Sequence, residues 1–404
     1  MLGVKQRTAL LQKEISGAAS TSQLLEAVTQ NLAAVDAIHA STALYRTAIF
    51  SATPAARLAV AADPRWLLLL GCVEQQAGRL DARGVASSLW SIARLHPECP
   101  SPTSALTTLQ NAAAHHALWD TAAPQSIANA AWAQARLTGS TQTSSVLAAL
   151  APAAAAKARL MKPGELAQVL HAFGSAGYKP SGQWAQRLWA ACDADLDAFA
   201  PRELAIVLWS YARLAHNPGG SQVRRMAERL AMHKQACDLQ AVSLTFWALA
   251  TLKEAPAEPV LAALFAQAAS HLGTAATPQP LCNLLWGAAQ LRHDPGPTVV
   301  SAALSRAMAL APALRPADVA QLSHALIQLR YAPGPRTVDA IGAALLSRLL
   351  EYSEAQLVGI LHALGRMGWK PAQMEGARLV TRAAGLGNGE GLVTALSRLG
   401  VLPK

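Results

Sequence analysis

The chain has few aromatic residues and few charges. Only 5% of its 404 residues are Phe, Trp or Tyr and 14% are charged, whereas 52% are hydrophobic. The hydrophobic content therefore depends on Ala and Leu, which are strong helix formers. No block rich in β-branched residues interrupts this pattern. The composition indicates an all-α protein.

Residues arranged for chemistry are also scarce. The chain has no C-x-x-C pair, phosphate loop or nucleophile elbow, and His115 and His116 point about 100° apart on a helix. Asp193, Asp195 and Asp197 are better explained as a solvated helix end than as a cation site. The cysteines are odd in number and far apart, which argues against disulfides and zinc: Cys72, Cys99, Cys192, Cys237 and Cys282. We expect no enzyme, no cofactor, no metal and no small-molecule substrate.

One long uncharged stretch raises the question of a membrane span. It runs from Pro259 to Leu291, but Gly273, Pro278 and Pro280 interrupt it. A transmembrane helix needs about 20 consecutive apolar residues. We therefore expect no membrane insertion.

A six-residue phrase recurs eight times and ends each time on Trp or His. Those final residues are Trp90, Trp132, His171, Trp209, Trp247, Trp286, His324 and His362. After a first spacing of 42 residues, successive copies lie 38 or 39 residues apart. A fixed period in this range is typical of stacked supersecondary units, so the sequence predicts a solenoid.

A proline follows six of these copies at a distance of nine residues. The prolines are Pro180, Pro218, Pro256, Pro295, Pro333 and Pro371. Because proline cannot continue a helical hydrogen-bond ladder, the phrase is predicted to be one helix, the proline its stop, and the next stretch a second helix. Degenerate copies are expected near Ile38 and His39 and at Thr394 with Pro403.

The segment from Leu204 to Leu214, followed by Pro218, resembles the repeat of the octotricopeptide-repeat proteins of organelles. The resemblance covers roughly Trp66 to Pro403. Trp132 lacks the proline, and three histidines replace the tryptophan. The resemblance implies a right-handed α-solenoid of about 8–10 helical hairpins of 38 residues that binds single-stranded RNA. It also implies a role in transcript maturation, stability or translation, or in mitochondrial ribosomes with fragmented ribosomal RNA.

The chain is expected to divide into a helical extension or degenerate repeat over residues 1–60, a repeat array over 61–390 and a degenerate capping repeat over 391–404. Lys5, Arg7 and Lys13, with few acidic residues before Glu26, suit the tail of an organelle transit peptide. A flexible arm that contacts RNA or protein is the alternative. We expect an organellar matrix location and favour the mitochondrion over the chloroplast.

The formal net charge is +10. Arg224, Arg225 and Arg229 share one predicted second helix. The later second helices carry Arg306, Arg348, Arg378 and Arg382. Clustered cations neutralise phosphates, while a solvated outer face is the alternative that charge alone leaves equally open. The family resemblance favours RNA.

A helical wheel separates two arcs on the repeated helix. Counted from the aromatic as zero, positions −5, −1 and +3 are apolar or small and are predicted to form the core. Positions 0, +4 and −3 share another arc. The +4 residues, all able to form hydrogen bonds, are Arg94, Arg136, Ser175, Arg213, Thr251, Gln290, Gln328 and Arg366. The polar −3 residues are Ser87, Asn129, Gln168, Asn283 and Gln321.

These two columns are candidate RNA-reading positions, because helical-repeat proteins read bases with two or three side chains per repeat. A merely solvated helix face is the alternative. The repeated tryptophans are expected to pack between repeats rather than to stack on bases, and the three histidines to do the same.

Two classes of function remain. The first is an RNA-binding component that holds ribosomal RNA in a mitochondrial ribosome beside neighbouring ribosomal proteins, with a messenger-RNA factor as the alternative. The second is a protein-binding scaffold built from the same hairpins. A positive surface along the polar columns would favour RNA, and an apolar or acidic groove would favour protein.

Overall fold

The computed structural model describes residues 4–138, 145–387 and 389–402. Within these ranges the chain forms 22 α-helices and no strand. Nine single turns of 3-10 helix lie between them. The prediction of an all-α protein with about twenty helices is confirmed. Pro403 lies outside the described residues.

The chain divides into two compact units, Met1–Phe199 and Ala200–Lys404. The helices of the first unit are α1 (Val4–Gly17), α2 (Thr21–Gln30), α3 (Ala37–Phe50), α4 (Pro54–Ala62), α5 (Arg65–Gln76), α6 (Ala82–Leu95), α7 (Thr103–Ala113), α8 (Pro124–Thr138), α9 (Ser145–Lys157), α10 (Pro163–Ala176) and α11 (Gly182–Ala194).

The helices of the second unit are α12 (Pro201–Arg213), α13 (Gly220–Met232), α14 (Leu239–Leu252), α15 (Glu258–Ala269), α16 (Gln279–Gln290), α17 (Pro297–Ala309), α18 (Pro316–Gln328), α19 (Pro335–Ser347), α20 (Glu354–Arg366), α21 (Gln373–Gly385) and α22 (Glu390–Arg398).

Helices in each unit are stacked in chain order as hairpins. In the first unit the first helices α1, α3, α6, α8 and α10 pack successively on one another, as do the second helices α2, α5, α7, α9 and α11. In the second unit the first helices α12, α14, α16, α18, α20 and α22 form a continuous row. Helix α4 is an extra element between α3 and α5. Each unit thus has the sequential neighbour packing of a helical-repeat array.

Proline and acidic residues mark where several first helices begin. Pro163, Pro201 and Pro316 occupy the first turn of α10, α12 and α18. A backbone N–H at this position has no partner within the helix, so proline, which lacks one, costs no hydrogen bond. Two residues later, Glu165, Glu203 and Asp318 accept the backbone N–H of the residue before each helix at 2.8–3.0 Å. This arrangement fixes the start of α10, α12 and α18.

Six of the first helices, α10, α12, α14, α16, α18 and α20, end in a left-handed residue six positions after the aromatic position. These residues are Gly177, Ala215, Lys253, Arg292, Arg330 and Gly368, with φ between 53° and 84°. The next backbone N–H donates to the carbonyl five residues earlier, as from His216 to Tyr211 at 3.0 Å and from His293 to Ala288 at 2.9 Å. This is the Schellman pattern of helix termination.

The six predicted prolines do lie in the loops between first and second helices. They do not stop the helix, however, because the left-handed residue ends it three positions earlier. The proline prediction is therefore confirmed for the turn and wrong for the stop. Proline instead stiffens the loop by fixing its own φ.

The predicted core arc is confirmed at two of its three positions. Every −5 and −1 residue of the eight repeats is buried, whereas the +3 residues are buried or half-buried. Small residues also allow helices to approach closely. A Cβ atom at Gly287 of α16 would lie 2.7 Å from the backbone carbonyl carbon of Phe246 in α14. Only glycine fits at this contact.

No described helix is both long enough and apolar enough to cross a bilayer.

Candidate nucleic-acid interface

Aromatic rings from successive first helices lie next to one another. In the first unit the ring centroids of Tyr45 and Trp90 are 5.5 Å apart and those of Trp90 and Trp132 are 6.4 Å apart. In the second unit Trp247 lies 6.4 Å from both Trp209 and Trp286. We call these six residues the aromatic ladder, which has one segment in each unit.

The five ladder tryptophans are half-buried rather than buried. Each contacts an aromatic ring of the neighbouring repeat, as expected for inter-repeat packing. The fully buried aromatic residues are different ones, among them Phe173, Tyr211 and Phe246. The ladder rings therefore pack between repeats and still present part of their surface to solvent.

Tyr45 starts the ladder, and the repeat spacing does not predict it. The early unit expected near Ile38 and His39 exists as α3, but His39 is 1% exposed and does not occupy the aromatic position. Its backbone N–H donates to Asp36 Oδ1 at 3.0 Å, which caps the helix. Because α4 lengthens the turn after α3, Tyr45 lies outside the regular spacing.

Three arginines of the +4 column lie over the tryptophan one turn earlier. The guanidinium carbon is 5.2 Å from the ring centroid for Arg94 over Trp90 and 5.7 Å for Arg136 over Trp132. Arg213 lies 5.9 Å from the centroid of Trp209. These are cation–π distances. The column therefore does run beside the ladder, as the helical wheel predicts.

Two of these arginines are also used to join repeats. Arg94 Nε donates to the Ala48 carbonyl at 3.2 Å, in the last turn of α3. Arg136 Nε donates to the Ala93 carbonyl at 2.8 Å, in the last turn of α6, and its Nη2 to the His96 carbonyl at 3.2 Å. Cations stabilise the unpaired carbonyls at helix C-termini. Arg94 and Arg136 are therefore structural as well as candidate RNA contacts.

The other side chains of the +4 column differ in their hydrogen-bond partners and in their exposure. Ser175 Oγ lies 3.4 Å from His171 Nε2, and Thr251 Oγ1 donates to its own helix at the Trp247 carbonyl, at 2.8 Å. Arg366 is exposed. Gln290 and Gln328 bond to each other across neighbouring repeats at 2.9 Å.

Members of the −3 column are less accessible. Ser87 Oγ donates to the Gly84 carbonyl, and Gln168 Nε2 donates to the Ala128 carbonyl at 3.0 Å and to Asn129 Oδ1 at 3.4 Å. Asn283 is only 4% exposed, while Gln321 is half-buried. This column thus contributes one contact between α8 and α10 and a bond within α6, and its accessible polar surface is small.

Arginines on the second helices are largely occupied by protein partners. Arg224 Nη1 donates to Glu254 Oε2 at 3.0 Å, while Arg225 is exposed. Four others donate to backbone carbonyls of the preceding repeat: Arg306 to Ala275, Arg348 to Leu314, Arg378 to Leu346, and Arg382 to Leu350 and Tyr352. These bonds tie one hairpin to the next. The second helices therefore use much of their positive charge for packing.

The titratable groups most affected by burial offer no reactive centre. All five cysteines are buried, and burial raises the pKa of Cys99 to about 11 and of Cys192 to about 12. Their thiols are protonated at neutral pH. His171 occupies the repeat position that holds a ladder tryptophan in other repeats. Burial lowers its pKa and keeps the imidazole neutral.

The site thus consists of half-buried aromatic rings, cations beside them and amide side chains along one row of helices in each unit. No protein-family model matches the chain, and no curated protein matches it in sequence.

Proposed function

We propose that the chain binds single-stranded RNA along the aromatic ladder. The observation that carries this proposal is the combination of half-buried rings with Arg94, Arg136 and Arg213 beside them. Bases stack on aromatic rings without strong sequence preference, and arginine can meet either a base face or a phosphate. The formal net charge of +10 favours a polyanionic partner.

The finer architecture and biological setting are part of the same proposal. They comprise a right-handed solenoid of 38-residue repeats, an organellar matrix location with the mitochondrion favoured, and fragmented ribosomal RNA held beside neighbouring ribosomal proteins. The support is the sequence resemblance together with the arginines of α6 and α8. Since these arginines also bond to backbone carbonyls, they suit a fixed support for RNA better than a complete base code. A messenger-RNA factor remains the alternative within this class.

Affinity for RNA can be tested at two arginines of the second unit. Arg213 and Arg366 are exposed +4 residues. Arg213→Ala with Arg366→Ala should weaken binding of a mixed-sequence single-stranded RNA, measured by fluorescence anisotropy. The slope of log affinity against log salt should fall by roughly 0.7 for each phosphate that the variant no longer neutralises.

The matched control is Arg224→Ala, which removes an exposed, ion-paired arginine from a second helix. It should change RNA affinity little. Absence of RNA binding by the unaltered chain, or an equally large decrease in the Arg224 variant, would contradict the proposal. If the unaltered chain binds RNA as proposed, crosslinking and sequencing of the bound RNA would distinguish ribosomal from messenger RNA.

A protein-binding role is the second candidate, because α3, which carries the first ladder residue, exposes an apolar face. Ile38, Tyr45 and Ile49 are 65%, 42% and 43% exposed and lie on one face of that helix. Exposed apolar strips of this kind often bind protein. Replacing Ile38 and Ile49 by Ser should leave RNA affinity unchanged and abolish crosslinks to a protein partner if this strip is a docking site.

A further inference from the structure

The proline loops that follow the first helices carry a repeated positive charge. Among the three residues before each of the six prolines, five loops hold one lysine or arginine. In the second unit these residues, which we call the loop cations, are Lys253, Arg292, Arg330 and Lys370. All four are exposed, and they belong to four successive repeats. Because the first helices α14, α16, α18 and α20 pack in that order, the loop cations form a row at one end of these helices.

Three of the loop cations have a backbone conformation that favours glycine. They are Lys253, Arg292 and Arg330, with φ of 59°, 57° and 53°. A Cβ atom makes this conformation costly, whereas glycine adopts it freely. Where Gly177 and Gly368 occupy the position, Lys179 and Lys370 follow two residues later. The loop therefore carries its positive charge with either kind of residue at the helix end. Strain retained in this way is typical of functional positions.

The loop cations differ from the other arginines in having no partner. Within the part of the chain that the structure describes, none of the four side chains forms a hydrogen bond or an ion pair. The neighbouring acidic residues do have partners. Glu254 is paired with Arg224 at 3.0 Å, and Asp294 Oδ1 accepts a backbone N–H of its own loop at 2.9 Å. Glu258, at the start of α15, lies 2.7 Å from His293 Nδ1. The loop cations are therefore available to an external anion.

We propose that the loop cations bind the phosphates of the RNA strand whose bases stack on the aromatic ladder. The inference rests on the proposed RNA-binding function and adds the course of the sugar–phosphate backbone. Arg292 lies six residues beyond Trp286, which corresponds to about 9 Å along the helix axis. Packed helices are about 8–10 Å apart, so cations of successive repeats can meet phosphates of one extended strand. The adjacent rings favour a nucleic acid over an acidic protein, because bases stack on them.

The test is a triple variant, Lys253→Gly with Arg292→Gly and Arg330→Gly. Its affinity for a mixed-sequence single-stranded RNA, measured by fluorescence anisotropy, should fall by at least about tenfold at roughly 0.1 M salt. The slope of log affinity against log salt should decrease by about 2, since each lost phosphate contact contributes roughly 0.7. The midpoint of thermal unfolding should not decrease, because glycine suits the left-handed conformation.

Two control variants separate charge from backbone and this row from charge in general. Ala215→Gly makes the same backbone change at the end of α12 without removing a charge, and it should leave RNA affinity unchanged. Arg79→Ala with Arg83→Ala and Arg159→Ala removes three exposed arginines of the first unit that lie in neither column. This second control should change RNA affinity far less than the glycine variant does.

Several outcomes would overturn the row while leaving RNA binding on the ladder intact. One is an unchanged affinity and salt slope in the glycine variant, and another is an equally large loss in the first-unit control. A lower unfolding midpoint with unchanged affinity would identify the loop cations as helix caps. Equal competition by a polyglutamate peptide would show a general polyanion surface instead of a phosphate site. Failure of the unaltered chain to bind RNA would overturn the proposed function, and the row with it.

Discussion

Residues at the same repeat position do different work because their neighbours differ. The sequence placed Arg94 and Gln290 in one column, and the structure confirms that this column runs beside the ladder. It could not show that Arg94 reaches the Ala48 carbonyl, since that contact joins residues 46 positions apart. Nor could it show that Asn283 is buried. Side-chain availability depends on packing between repeats, which periodicity does not reveal.

The half-burial of the ladder predicts an unequal cost for two adjacent substitutions in α14. Phe246 is fully buried and Trp247 is half-buried. Phe246→Ala should lower the free energy of unfolding by about 3–5 kcal/mol because it leaves a cavity. Trp247→Ala should cost about 2 kcal/mol, since part of its ring is already in water. Urea denaturation of both variants measures the difference, and a larger decrease for Trp247 would mean that the ring is a core residue.

At the scale of the element, the sequence predicted the helix–turn–helix unit and its proline loop. It missed how the first helix ends, because four of the six left-handed positions hold Ala, Lys or Arg rather than Gly. It also missed Tyr45, because α4 displaces that repeat from the regular spacing. Helix starts were predictable in principle from Pro163, Pro201 and Pro316, which precede the aromatic by eight residues.

The left-handed terminators provide a pair of opposite substitutions in the second unit. Ala215 has φ of 54°, a conformation that costs about 1–2 kcal/mol for a residue with a Cβ. Ala215→Gly should relieve that strain, but the more flexible unfolded chain offsets about 0.4–1 kcal/mol of the gain. The free energy of unfolding should therefore rise by roughly 0.5–1 kcal/mol. Gly368→Ala should destabilise by a similar amount, because its Cβ would meet no atom within 4 Å and only the backbone cost remains. Thermal unfolding of both variants checks the opposite signs.

At the scale of the whole molecule, each unit is a row of hairpins that contact mainly their sequence neighbours. The division at Phe199 and Ala200 had no counterpart in the predicted boundaries at residues 60 and 390. The repeat pattern continues through this point, so hydrophobic periodicity contains no mark of it. The spacing of a sequence repeat predicts how successive hairpins are arranged, but it does not predict where a long array divides into compact units.

Neighbour-limited packing predicts a local response to damage in the core. Phe246→Ala should speed amide hydrogen exchange in α14 and in the adjacent first helices α12 and α16. Protection in α6 and α8, which belong to the other unit, should stay as in the unaltered chain. Hydrogen-exchange mass spectrometry resolves these segments. A uniform decrease of protection along the chain would show that the molecule unfolds as one cooperative body.

The bonds from Arg94 and Arg136 make the last turn of one first helix depend on the first helix that follows it. The Ala48 carbonyl of α3 accepts a bond from Arg94, which follows 46 residues later, and the Ala93 carbonyl of α6 accepts one from Arg136, which follows 43 residues later. Because the chain is synthesised from its N-terminal end, we expect the last turns of α3 and α6 to be completed only after the next first helix has been added.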